Sequence, residues 1–264
     1  MRTLKLTIAY DGTDYAGWQR QVGISTIQDL LETALSEIEN RAVTVYGAGR
    51  TDAGVHALGQ VVSTKLSHTI KTSTLQRALN AKLPQDIRVL HIEEVVDSFH
   101  ARYGACTKLY RYRLSTGLVA NPLDQRYTWY IPKALDSIVM QKAALTLCGK
   151  HDFSAFQTSA SETMSESTIR TILALNVSSE SVPLWLMLKL ASPCDVIVID
   201  VIGDGFLRHM VRAIVGTLVE VGMGRRSVED VAKILASRRR ECAGPTAPAK
   251  GLFLMRVNYE GQRS

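Results

Sequence analysis

The sequence predicts an α+β fold in which antiparallel sheets carry helices packed on one face. Three observations predict it. Several runs alternate apolar and polar residues at period two, other stretches repeat apolar residues at helical spacing, and the two kinds do not alternate regularly as a doubly wound parallel sheet requires. Residues 3–10 (TLKLTIAY) have the period of a half-buried strand, and DGTDYAGW follows as a turn-rich loop. Ser25 and Gln28 stand three apart and fit a capping box for a helix that buries Ile27, Leu30, Leu31, Ala34, Leu35 and Ile38. Val43–Tyr46 reads as a short strand running into the loop GAGRTDAGVHALG. Strand, helix and strand are then expected at 60–66, 74–83 and 87–96.

A second half is expected from residue 105, giving domains 1–104 and 105–264, although no Pro- or Ser-rich linker separates them. Residues 108–115 (KLYRYRLS) form a strand with Tyr110 and Tyr112 on one face. A helix over 135–147 is closed by Gly149, and strands follow between 169 and 202. The stretch 196–222 reads as strand, glycine turn and helix, with Leu207, Met210, Val211, Ile214 and Leu218 inward. Ser227 caps the last helix, and 252–259 closes with a strand.

Composition excludes several classes of function. The chain has 264 residues, 46% of them hydrophobic and 21% charged, which is neither disordered nor fibrous. The apolar stretch from Val182 to Ile202 is broken by Pro183, Lys189, Pro193, Asp195 and Asp200, so it reads as strands around a turn and not as a membrane span. The N-terminus shows no secretory pattern. Cys106, Cys148, Cys194 and Cys242 are widely spaced with no metal-ligand pattern, which fits a reducing cytoplasm. The formal charge of +6 permits a polyanionic partner. Arg225-Arg226 and Arg238-Arg239-Arg240 bracket one predicted helix, either as a solvated face or as a grip on phosphates.

Residues 47–57 concentrate glycine around Arg50 and Asp52, with three glycines in eight residues that let a ligand approach the backbone closely. An aspartate in such a loop is more often a turn or cap residue than a reactive group. The loop lacks the GxxxxGKS of a nucleotide P-loop, and it lacks the neighbouring acidic residues of a metal-assisted phosphoryl-transfer site.

Five blocks, in order, resemble the tRNA pseudouridine synthase A family: YDGTDYAGWQRQ at 10–21, GAGRTDAGVHALGQV at 47–61, FHARYGACTKLYRYR at 99–113, GFLRHMVRAIVG at 205–216 and APAKGLFLMRVNY at 247–259. They span nearly the whole chain, and GRTDAGVHA is the most specific. The stretch 181–195 matches no block. The resemblance implies two related halves with an active-site cleft between them, a homodimer, no cofactor, and uridines at tRNA positions 38 to 40 as substrate. It makes Asp52 the nucleophile and Arg212 its basic partner. Tyr110 and Leu252 would contact the uracil, and Arg50 would fill the place of the extruded base. Arg225, Arg226, Arg238 and Arg239 would hold the RNA backbone. His56 is expected to do structural work, and Asp11, Asp14 and Trp18 have no assigned chemistry.

The chemistry suits these residue types. The N1–C1′ bond breaks, the base turns, and C5 joins C1′ with no redox change, so a carboxylate can divide one hard step into two. A dry site favours the neutral acid, and a guanidinium offsets this. Two alternatives stand beside this one: a non-catalytic tRNA-binding module, and a related synthase acting on other RNA uridines.

Overall fold

A computed structural model describes residues 1–158, 167–180 and 196–260. The strands expected across the apolar stretch 181–195 lie outside the described residues. In chain order the elements are β1 (Arg2–Tyr10), α1 (Ile27–Glu39), β2 (Tyr46–Gly47), β3 (His56–Leu66), α2 (Thr72–Lys82), β4 (Ile87–Val95), β5 (Ala105–Thr116), β6 (Trp129–Ile131), α3 (Ser137–Leu145), β7 (Gly149–Asp152), β8 (Ile169–Glu180), β9 (Val196–Gly203), α4 (Met210–Gly222), α5 (Val228–Ser237) and β10 (Leu252–Tyr259). They fall into two compact units, Met1–Lys108 with Phe253–Ser264, and Leu109–Leu252.

In the first unit the strand order is β4-β1-β3-β10, with β2 on β3. Strand β1 is antiparallel to both neighbours, with Leu6 opposite Val62 of β3 and Ile92 of β4. Leu4, Leu6 and Ile8 point the same way by the pleat and are fully buried. Helix α2 lies against β4 and touches α1. The other side of β1 carries Lys5, whose ammonium reaches Glu93 at 2.8 Å and lies over the rings of Phe99 and Tyr259. Strand β10 runs parallel to β3, with Phe253 opposite His56 and Leu254 opposite Ala57. The last strand thus belongs with the first unit, whereas the sequence reading assigned it to residues 105–264.

In the second unit the order is β5-β9-β8-β7, with the three-residue β6 parallel to β5. The pairs β8–β9 and β7–β8 are antiparallel. Helix α3 packs on β8 and meets both α4 and α5. In α4, Arg212 and Glu220 are the two residues that are not buried. A glycine crossing explains this enclosure: a Cβ on Gly216 would stand 1.7 Å from the carbonyl oxygen of Pro245. The segment leading to β10 therefore lies directly on the helix.

Local signals mostly land within a few residues. Ser227 caps α5, with a full capping box to Asp230. The cap of α1 is Thr26 and not Ser25, because the Thr26 hydroxyl accepts the Asp29 N–H. Gln28 is buried instead and donates to Glu32 and to the carbonyl of Val45. Strand β3 begins four residues earlier than its alternation showed, so His56 and Ala57 of the glycine-rich segment are already sheet.

Candidate active site

The loop proper runs from Ala48 to Val55, between β2 and β3. Each part of it is pinned to the first unit. The Ala48 N–H donates to the Val61 carbonyl at 2.8 Å, and Gln60 Nε2 donates to the Gly49 carbonyl at 2.8 Å. The Thr51 hydroxyl meets the Tyr10 hydroxyl at 2.8 Å, and the Thr51 carbonyl accepts from the Trp18 N–H at 3.0 Å. A turn closes with the Val55 N–H on the Asp52 carbonyl at 3.1 Å, and Gly54 supplies its left-handed φ of 76°. Arg50 is exposed and Asp52 half-buried, on a loop whose flanks are fixed.

The 10–21 block is the scaffold of this loop. A Cβ on Gly12 would stand 2.0 Å from the Val55 carbonyl oxygen, and one on Gly17 would stand 2.6 Å from that of Thr51. The Trp18 indole lies directly on Gly47, where a Cβ would meet its ring at 2.6 Å. His56 Nδ1 lies 3.1 Å from the Gly12 N–H and 3.0 Å from Asp11 Oδ1. It serves one of these at a time, so the ring ties the 11–13 turn to β3 whether it accepts or donates. Its other face stacks on Phe253 at 4.7 Å. His56 thus does the structural work expected of it. Trp18, which has no assigned chemistry, turns out to hold the loop in place, and Asp11, likewise unassigned, lies against the His56 ring at the start of β3. Burial pushes the Tyr10 phenol up to about 12, against the hydrogen bonds from Thr51 and Gln60 that lower it. Tyr10 therefore stays a neutral hydrogen-bonding group at ordinary pH.

The second unit holds Tyr110, Arg212 and Leu252. Tyr110 is 7% exposed on β5 and meets the Phe206 ring edge-on at 5.2 Å. Tyr112, two residues on, is fully buried and donates from its hydroxyl to the Pro248 carbonyl at 2.7 Å. Burial raises its phenol well above the ordinary range, with the nearby charge of Arg212 acting against that. So the two tyrosines share a face, and Tyr112 serves the fold. Arg212 is clamped to the 243–251 segment from both sides. Its Nε donates to the Ala247 carbonyl at 2.7 Å, and the Ala247 N–H donates to the Arg212 carbonyl at 3.0 Å. Leu252 is buried and follows the turn Ala249–Gly251 at the start of β10. Arg240 braces the same segment through the Gly244 carbonyl and the Thr246 hydroxyl.

The basic residues at the ends of α5 differ from one another. Arg225 is exposed, and its side chain has no hydrogen-bond or ion-pair partner among the described residues. Arg226 is bound to Glu220 and to the Cys242 carbonyl. Arg238, in the left-handed cap of α5, pairs with Asp152 at 3.1 Å, and Arg239 pairs with Glu241 at 2.7 Å. The exposed pairs are cheap to exchange for phosphate, whereas the half-buried Arg226 pair is structural.

The family described as tRNA pseudouridine synthase matches residues 6–104 and 143–260. Asp52 and Arg50 fall in the first stretch, Arg212 and Leu252 in the second, and Tyr110 between them. The tRNA pseudouridine synthase A of Halalkalibacterium halodurans is 45% identical over 98% of this chain and 93% of its own length. That of Acetivibrio thermocellus is 41% identical over 98% of this chain and all of its own, and the tRNA pseudouridine synthase A 1 of Desulfotalea psychrophila is 42% identical with the same coverage. Among solved structures, a Cbf5-Nop10-Gar1 complex aligns at 11% identity over 95% of this chain and 57% of that chain, with a TM-score of 0.32, too weak a likeness to define the fold.

Proposed function

Because this chain belongs to the tRNA pseudouridine synthase A family, we propose that it isomerises uridine to pseudouridine at positions 38 to 40 of the tRNA anticodon stem-loop. The observation that carries the reading is the Ala48–Val55 loop, which offers the half-buried carboxylate of Asp52 on a backbone pinned at every flank. Such a group needs little reorganisation when a substrate arrives, which is the advantage of a preorganised site.

The reaction balances within its substrate. The N1–C1′ bond breaks, the uracil turns, C5 joins C1′, a proton leaves C5 and one arrives at N1. Asp52 supplies the covalent step as a carboxylate. Arg212, whose guanidinium is held by Ala247, supplies the positive charge that keeps a carboxylate ionised as water leaves. Tyr110 and Leu252 present flat and apolar surface to the uracil, and Tyr110 also offers a hydroxyl for the late loss of the C5 proton. Arg50 fills the space of the extruded base. Arg225, Arg238 and Arg239 meet phosphates, and Arg226 steadies the turn beside them. No cofactor is needed, and the enzyme acts in the cytoplasm as a homodimer.

The deciding experiment incubates purified protein with unmodified tRNA transcripts carrying uridine at positions 38 to 40 and maps pseudouridine chemically. Wild-type protein forms it at those positions; Asp52→Asn forms none while binding the same tRNA. A wild-type protein that binds tRNA without product is a binding module. Product elsewhere in the RNA identifies a synthase of other uridines.

A further inference from the structure

The first unit carries an exposed aromatic cluster that the proposed reaction does not use. Tyr46, on β2, is 52% exposed and Tyr103 is 78% exposed. The His100 ring sits between them, 4.9 Å from Tyr46 and 4.4 Å from Tyr103, and the Arg102 guanidinium lies over the Tyr103 ring at 5.8 Å. Tyrosines this exposed gain little from packing, since most of their ring surface still faces water.

The turn that presents the cluster is anchored. His100 Nδ1 accepts the N–H groups of Arg102 at 3.1 Å and Tyr103 at 3.4 Å, which fixes the imidazole plane. The same turn is anchored from beneath. Phe99 packs on Tyr259 at 5.0 Å, the Tyr259 hydroxyl donates to the Ala101 carbonyl at 2.7 Å, and the Ala101 N–H donates to Ser63 Oγ on β3. Residues 99 and 101 hold the turn down while 100, 102 and 103 present rings and a cation outward.

We propose that Tyr46, His100, Arg102 and Tyr103 form a stacking platform for an unpaired base of the RNA substrate, separate from the uridine that reacts. Exposed rings with an arginine beside them are the surface that unpaired bases stack on, and a planar guanidinium serves both a base and its phosphate. The place fits the role. Tyr46 precedes Asp52 by six residues, so their Cα atoms are at most about 21 Å apart, a reach of a few nucleotides. The platform holds the RNA beside the loop while another base is drawn out, and it rests on the reading of this chain as an enzyme of RNA.

The test compares wild type with Tyr46→Ala/Tyr103→Ala, and with Tyr46→Phe/Tyr103→Phe as the control that keeps the rings. Filter binding is run on an unmodified tRNA transcript, a short unpaired oligoribonucleotide and a fully paired, blunt-ended RNA duplex. The alanine pair raises Kd for the tRNA and the unpaired oligonucleotide on the order of 5- to 100-fold. It leaves the duplex Kd unchanged, and the phenylalanine pair binds all three like wild type. An unchanged Kd for the unpaired RNA overturns the proposal, as does an equal loss for paired and unpaired RNA, which reports phosphate contact alone. Binding is measured without turnover. Should wild type form no pseudouridine, the isomerase reading fails and these Kd values still decide the platform.

Discussion

Replacing Gly12 by alanine tests whether the 10–21 block sets the geometry of the Asp52 loop. Gly12 lies outside the left-handed region, so alanine meets no backbone penalty there and the effect is one of space. The new Cβ would stand 2.0 Å from the Val55 carbonyl oxygen and 2.7 Å from its carbon, both of them backbone atoms. Reaching an ordinary contact of 3.4 Å requires a displacement of about 1.4 Å, shared between the 11–13 turn and the loop. Val55 is bound through its N–H to the Asp52 carbonyl, so the shift passes to Asp52, the proposed nucleophile. A misplacement of about 1 Å costs roughly 100-fold in rate, and overpacking of this kind costs about 1–3 kcal/mol in stability. Single-turnover pseudouridine formation and urea unfolding read the two quantities. Gly23→Ala is the control: it meets nothing within 4 Å and has a φ of +75°, so it costs about 1–2 kcal/mol with no change in rate. A folded Gly12→Ala protein that turns over at the wild-type rate refutes the scaffold argument.

Tyr10→Phe removes one partner of the Thr51 hydroxyl and is expected to slow turnover with little change in KM, read by steady-state kinetics. The same variant has an alkaline signature. The Tyr10 phenol is raised from 10 to about 12 on folding, so the native state holds its proton longer and stability falls as pH rises through that window. The loss is about 2–3 kcal/mol, and the phenylalanine variant lacks this part of the slope in urea melts at pH 9 to 12. On the acid side, the hydrogen bond from Thr168, with smaller help from Arg238, holds the Asp152 carboxyl below its usual range. Its stabilisation is complete above the unfolded value and is lost as pH falls through the folded one, and Asp152→Asn flattens that acid slope. The arginines at the start of α5 separate as well. Arg225→Ala lowers the slope of log Kd against log salt by about one with no loss of stability, whereas Arg226→Ala costs about 1–3 kcal/mol by stranding the half-buried Glu220. An Arg225 variant with an unchanged salt slope removes that residue from the RNA contacts.

Periodicity made the longer elements legible. Strand β1, helix α1, the Tyr110–Tyr112 face and helix α4 all follow from spacing, because each buries a repeat long enough to show. Strands β6 and β7, three and four residues long, carry too few residues to show a period. The placement of β10 was illegible for another reason. It pairs with β3 through only two residues, and a contact across nearly 200 positions leaves no local trace. Among the candidate site residues, the roles of the arginines could not be graded from a run of like charges. Arg226 and Arg225 look alike in sequence, and only the fold, which sets Glu220 and the Cys242 carbonyl against Arg226, makes the first structural while the second stays exposed.

The role proposed for Asp52 is not legible in its own neighbourhood for the same physical reason. A glycine-rich turn with one aspartate is ordinary, and nothing in residues 47–57 states that the turn must be held still. That information lies 40 residues upstream. Gly12 and Gly17 are glycines because loop carbonyls press on their Cα atoms, Trp18 is large because Gly47 leaves room for it, and Tyr10 carries a hydroxyl that Thr51 meets. The 10–21 and 47–61 blocks are two halves of one packed object, and neither is interpretable alone. For Asp52, the proposed nucleophile, loop freedom is reduced by residues of the 10–21 block that bond and pack against its backbone. Substitutions in 10–21 should therefore act on the rate of the chemical step and leave tRNA affinity largely as it was.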